Sequence, residues 1–459
     1  MSEHLVSDVA LQAVDAAPRA KTKRRTSSLL FGTGLLGVSY LAYEFGGGND
    51  WDVGSLGPIH VYFSDLVCLI LGAIAVSEML KRPRLNKIEW IVIGIAILSF
   101  VEFIRGMATI GSAAGVDFRR DALAIAGLLF YSEMASRYSV RDLISVFGLL
   151  TLISTFVVFL RVTDLLPPAD FVLEHGAGSY LEYRVLPADA ALWTAYCGIS
   201  MLAAAVLSRR TAIKLSPDLV MGGLVLLFAF ALMHRSVWLA ELITIALIPL
   251  LSFRFSLIRR QTYRQFRTIA LGLVGLTAVF VVYSRVLTAA IEELAKPNST
   301  WMWRVLGWIA LWEQMTPSTV LYGWGYGTGL GRWVGLAYIK ATAHNLFVDE
   351  FTRLGILGLF LYVYLFWYVM RRIYWIARNS PPGNDRKFAV LLFAMLAGNL
   401  AYEMAYAMWI PVFALMGLAM GFIRVKAPDY FGMPSFSRKR KSGRRAVRRR
   451  AVTALPDAG

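Results

Sequence analysis

Charge is scarce in this chain. Only 17% of its 459 residues are Asp, Glu, Lys or Arg, against about 25% in a soluble globular protein. Hydrophobic residues make up 57%, with a mean hydropathy of +0.56. This shortage excludes a solvated surface over most of the chain. Cysteine is scarcer: Cys68 and Cys197 both fall in apolar runs, which excludes a disulfide framework and any Cys-based metal or redox spacing. Acidic residues are outnumbered by basic ones, 30 to 47, for a net charge of +17. That surplus does not point to nucleic acid, because it sits between apolar runs and in the two tails, where it acts as a topology signal.

The apolar residues that fill the remainder cluster into runs of about 18 to 25, the length that crosses a bilayer. The pattern predicts an all-α polytopic integral membrane protein of about twelve transmembrane helices, near 28–46, 60–80, 88–105, 120–137, 142–164, 188–208, 217–234, 236–253, 268–286, 347–370, 388–407 and 409–424. No cleaved leader is expected, since a polar, basic segment precedes a first run long enough to remain as a span. With the N-terminus cytoplasmic, the inner segments hold 35 of the 47 Lys and Arg, so both termini are expected inside. The organisation is then a basic N-tail over 1–27, helices one to nine over 28–286, a large periplasmic loop over 287–346, helices ten to twelve over 347–424 and a basic tail, expected to be disordered, over 425–459. The tail's Arg/Lys run from Arg438 to Arg450 is a topology lock attracted to anionic lipid.

The outer loop carries Thr300–Met315 (TWMWRVLGWIALWEQM), in which Arg304, Trp308 and Trp312 share one helical face. Such a helix either lies in the interface with indoles at headgroup depth or packs on the protein's own outer surface. Outer basic residues are few, and the candidates among them are Arg184, Arg235, Arg304, Arg285, Arg332, Lys340 and Arg353. Arg235 stands in the His234-Arg235-Ser236 corner, too short for a solvated loop, so it must snorkel, pair with an acid or face a wet cavity. Of five histidines, His344 ends the outer loop beside Asn345, and imidazole is the side chain suited to take a proton near neutral pH. Upstream, Gly323, Gly325, Gly327 and Gly329 alternate, and successive amides of such a loop can cradle phosphate. The loop lacks a nucleotide-loop ending, which excludes ATP. Asp50 and Asp52 form an Asp-x-Asp pair able to hold a divalent metal. Asp65, Glu102, Glu241 and Glu403 lie in or near spans, where carboxylates face the bundle interior and can pair with these arginines or relay a cation.

Arg304 with Trp308, the Gly-Trp-Gly-Tyr-Gly run from Gly323, the His344-Asn345-Leu-Phe element, Gly355 and the His234-Arg235-Ser236-Val-Trp-Leu-Ala corner together resemble the signature of the O-antigen ligase/polymerase superfamily. His234 departs from the usual serine of that corner. The resemblance covers roughly 180–365 at motif level and the rest by topology. It implies a metal-independent, cofactor-free inverting glycosyltransferase of the GT-C type in the bacterial inner membrane, its active site facing the periplasm. The donor would be a glycan on undecaprenyl diphosphate. The acceptor would be another lipid-linked glycan (Wzy-type polysaccharide polymerase) or lipid A–core (ligase). By the same match His344, aided by Asn345, would act on the acceptor hydroxyl, and Arg235, Arg304 and Arg184 would bind the diphosphate. The rivals are a secondary transporter or lipid flippase for cell-surface polysaccharide, a metal-dependent enzyme using Asp50 and Asp52, and an export scaffold.

Overall fold

The computed structural model describes residues 27–46, 51–56, 59–135, 138–166, 185–208, 216–232, 234–258, scattered positions over 260–275, and then 300–334, 337–339, 343–406 and 408–429. The ninth expected span, both tails, Arg184, Arg285, Lys340 and Asp50 lie outside them or largely so.

The described chain is mainly helical. A first helix, α1, covers 27–45. It is followed by strands β1 (Asp52–Leu56) and β2 (Ile59–Tyr62), then α2 (Phe63–Leu80), α3 (Lys87–Thr109), α4 (Ala113–Met134), α5 (Val140–Val162), α6 (Ala188–Ser208), α7 (Pro217–Ala231) and α8 (Arg235–Arg254). The segment over 300–339 holds α9 (Thr300–Glu313), α10 (Pro317–Tyr322) and strands β3 (Arg332–Val334) and β4 (Ala337–Ile339). The chain closes with α11 (Leu346–Asn379), α12 (Asn384–Glu403) and α13 (Ile410–Lys426). Six of the described helices, α2, α3, α5, α6, α8 and α11, are long and apolar enough to cross a membrane, and α7 is a shorter apolar helix. Their outward faces expose Leu69, Ile97, Leu152, Phe159 and Leu224, the surface that lipid rather than water would cover.

Local sequence explains where the helices begin. Asp65 accepts from the Tyr62 amide at 2.9 Å, Glu89 from the Asn86 amide at 2.7 Å and Asp142 from the Ser139 amide at 2.8 Å, each satisfying an otherwise orphaned donor at a helix start. Pro217 follows the Ser216 cap, whose side chain accepts from Leu219, as helix entry favours.

Two features depart from expectation. The all-α reading misses two short antiparallel hairpins, β1–β2 and β3–β4. And α4 starts at Ala113 rather than near 120, with Asp117, Arg119 and Arg120 on its first turns in ion pairs to Arg353, Asp65 and Asp349, and Asp121 accepting from Tyr326. Paired charge is tolerated where isolated charge is not. Helices approach closely at small residues: Gly198 of α6 meets Gly222 of α7, and Gly398 of α12 meets Ala240 and Thr244 of α8, the contact that substitutes for hydrophobic drive inside lipid.

The two ends of the bundle are chemically distinct. At one end, Arg82 bonds Glu89 at 2.7 Å and Glu133 at 2.5 Å, and Arg424 joins the same two carboxylates. The alternating helices put His234, the start of α11, the Met404–Tyr406 turn and α9 at the other end.

Candidate active site

The His344 corner is built by its neighbours. Asn345 is buried and its Oδ1 accepts from the Phe347 and Val348 amides at 3.0 and 3.2 Å, which starts α11. Its Nδ2 reaches the Met404 carbonyl at 3.4 Å. On the other side, the Trp308 indole donates to the Ala343 carbonyl at 2.7 Å. Between these ties His344 takes φ 51°, the left-handed region that L-residues seldom adopt outside sites where the surroundings hold them. Asn345 thus serves as a cap that fixes the turn carrying His344.

Arg304 lies one turn before Trp308 on α9, half-buried, with its guanidinium carbon 5.8 Å from the Tyr406 ring centroid. Its Nε is buried and makes no hydrogen bond among the described residues. Tyr406 in turn stacks on the fully buried Tyr402, centroids 4.7 Å apart. The backbone of Arg235 opens α8. The antiparallel register that sets Ala240 against Gly398 and Thr244 against Ala394 runs on to bring Arg235 level with Glu403, the residue before Met404. Asn345, next to His344, and Arg304 both reach the single turn from Met404 to Tyr406, and the α8–α12 register directs the start of α8 toward the same end of the bundle. Arg184 lies outside the described residues. Two positions beyond it, however, the Leu186 carbonyl accepts from His234 Nε2 at 2.8 Å, which ties that segment to the corner before Arg235.

The glycine loop is not a phosphate cradle. The Gly323 amide donates to Thr319, the Trp324 amide to Thr352, the Gly325 amide to Arg353 and the Gly327 amide to the Asp117 carboxylate, at 2.7, 2.7, 3.0 and 3.1 Å. Its glycines admit close backbone contact: a Cβ on Gly323 would collide with the Arg353 carbonyl, and one on Gly106 of α3 with the Tyr326 carbonyl. Tyr326 inside the loop is fully buried and donates to Asp121 at 2.5 Å. Burial and the Asp121 carboxylate hold its phenol well above the ordinary range, so it keeps its proton and remains a donor.

Comparison with known proteins finds a distant structural likeness only. No protein-family model matches the chain, and no curated protein matches it. Among solved structures, a chain described under the structural coordination of polymerization and crosslinking by a peptidoglycan synthase complex matches at 19% identity with a TM-score of 0.35, over 73% of this chain and 98% of that one. A likeness that weak carries no argument about activity.

The remaining candidates separate by their partners. Arg353 is a buried strut, 2.5 Å from Asp117. Asp65 pairs with Arg119, and Glu102 with Arg105, so neither serves the outer arginines. Asp52 is engaged by His60 at 2.6 Å and by the Gly54 amide at 2.9 Å, and no group of three metal-ligating side chains occurs among the described residues. Glu403 accepts from Asn399 at 2.7 Å and Asn399 from Tyr196 at 2.9 Å, a buried polar line just beneath the Met404 turn. Sequence reasoning missed Tyr406 and the Asp117-Phe-Arg-Arg-Asp121 cluster. The cluster had a usable signal, five residues carrying four charges at the predicted entry to the fourth span.

Chemically, the turn combines an imidazole, able to accept a proton, with arginine, which stays charged and binds anionic oxygens in two-pronged fashion.

Proposed function

We propose that this chain is a membrane glycosyltransferase that moves or polymerises a glycan from an undecaprenyl-diphosphate-linked donor onto a glycan acceptor at the outer face of the inner membrane. The observation that supports it is that Asn345, which caps the helix after His344, and Arg304 both reach the Met404–Tyr406 turn. The leaving group is a lipid diphosphate that gains negative charge as the glycosidic bond breaks, so the guanidinium groups of Arg304, Arg235 and Arg184 are the ones assigned to stabilise it. His344 accepts the proton of the attacking hydroxyl. Attack from the face opposite the diphosphate inverts the anomeric centre. The polyprenyl tail lies in the bilayer, which requires the site where span ends meet the interface.

The test uses protein in nanodiscs, polyprenyl-diphosphate-linked repeat units and EDTA. Longer lipid-linked glycan from the wild type, lost in His344→Ala and Arg235→Ala, supports a metal-independent polymerase. Transfer only to added lipid A–core makes it a ligase. Activity that disappears with EDTA moves the chemistry to Asp50 and Asp52, and unaffected variants sink the residue assignment. The buried carboxylates of Glu241 and Glu403 favour a secondary transporter as the second reading; substrate flux across proteoliposomes without transfer would establish it.

A further inference from the structure

A buried ionic network begins four residues past Asn345, and the proposed chemistry makes no use of it. Asp349 is 1% exposed; its Oδ2 accepts from Arg120 Nη2 at 2.6 Å and its Oδ1 lies 3.5 Å from Arg353 Nε. Arg120 belongs to α4 and also meets Asp121 at 3.2 Å, to which Tyr326 donates. Arg353 continues to Asp117, which takes the Gly327 amide. Three separate segments, the first turns of α4, the 323–329 loop and the first turns of α11, are thereby fastened together at the site's end of the bundle.

Both residues that flank His344 lead to Asp349. The Asp349 amide donates to the Asn345 carbonyl at 2.9 Å, the first backbone bond of α11, and the Asp349 carboxylate lies near the Ala343 amide. His344 itself stands at φ 51°, a conformation that persists only where the surroundings over-determine it. A strap between helices alone would not require the clamped carboxylate to lie near the residue before His344.

We propose that Asp349, clamped by Arg120 across from α4, is a positioning residue that sets the backbone of the His344 turn. What that turn does in transfer rests on the glycosyltransferase reading; that Asp349 sets it does not. The clamp converts the fixed place of α4 into a fixed direction for the segment that carries His344. A misplacement of about 1 Å at a reacting group is enough to cost about a hundredfold in rate.

The experiment takes the full chain in nanodiscs as wild type, Arg120→Gln and Arg120→Lys. Hydrogen exchange is followed at the 343–350 amides and, as a control, at 82–90 on the opposite end. Arg120→Gln is expected to raise exchange at 343–348 on the order of tenfold while 82–90 stays unchanged, and Arg120→Lys, which keeps the charge on Asp349, recovers most of the protection. In transfer assays Arg120→Gln should lower kcat about a hundredfold with donor KM within about twofold. Unchanged exchange at 343–348, or an equal rise at both ends, overturns the proposal. Removing one partner of a buried pair can prevent folding; if Arg120→Gln does not fold, Asp349→Asn, which retains an acceptor for Arg120, is measured in its place, and the same outcomes support or overturn the proposal. A wild type that transfers nothing with any donor ends the glycosyltransferase reading, and the exchange result still decides the role of Asp349.

Discussion

His344 sits at φ 51°, where a β-carbon costs about 1–2 kcal/mol that glycine does not incur. Stability and activity should therefore separate at this position. His344→Gly is expected to hold or raise the Tm in nanodiscs while transfer falls by about a hundredfold or more, measured by dye-reported unfolding beside glycan extension. Arg304 offers a second test. Its guanidinium lies over Tyr406, and lysine keeps the charge without the planar fork. Arg304→Lys should lower kcat/KM about tenfold and Arg304→Ala about a hundredfold, on the scale of lost charged hydrogen bonds. Both residues stood out in the sequence because histidine is rare and arginine between the apolar runs is sparse. Tyr406 was not, since one tyrosine among 20 in the chain carries no signal until the fold sets it under Arg304.

At the scale of elements, α9 and the glycine loop reveal more than their sequences did. One face of α9, with Trp308 and Leu311, packs inward, while Met302, Leu306 and Ile309 stay exposed. Trp312 is 60% exposed and stacks on Phe351 at 5.8 Å. Of the two expectations for this helix, packing on the protein's own surface accounts for Trp308, and the exposed apolar face leaves contact with lipid open to the rest. The indole bond to Ala343 separates packing from positioning. Trp308→Phe keeps the ring and loses one hydrogen bond, so a stability loss of about 1 kcal/mol is expected, with kcat falling more than donor KM rises. Inside α11, Gly355 breaks the helix at φ 68° against Leu321 and Gly323. Gly355→Ala should destabilise by about 1–3 kcal/mol, read as a lower Tm, and displace the loop that Arg353 and Arg105 hold. The sequence marked these glycines as permissive; it did not say that the permission is used for backbone contact rather than for a ligand.

Across the whole molecule, the sorting of contacts into two ends supports a chain that threads back and forth, and labelling can check the sides. In a background lacking Cys68 and Cys197, Ser318→Cys on α10 and Arg84→Cys between α2 and α3 are both exposed, and a membrane-impermeant thiol reagent should reach them from opposite faces. Labelling of both from one face would break the topology. Most of the architecture was determined by the sequence alone, because run length and hydropathy are local quantities that the bilayer thickness reads directly. The starts of α2, α3, α5 and α11 were likewise local, set by capping side chains a few residues from the amides they satisfy. What only the tertiary structure decided is pairwise and distant. Asp117, Arg120 and Asp121 are affordable in α4 because Arg353, Asp349 and Tyr326 arrive from more than two hundred residues away. The approach of Asn345 and Arg304 to Met404–Tyr406 has the same origin: helix packing creates it, and no spacing along the chain encodes it.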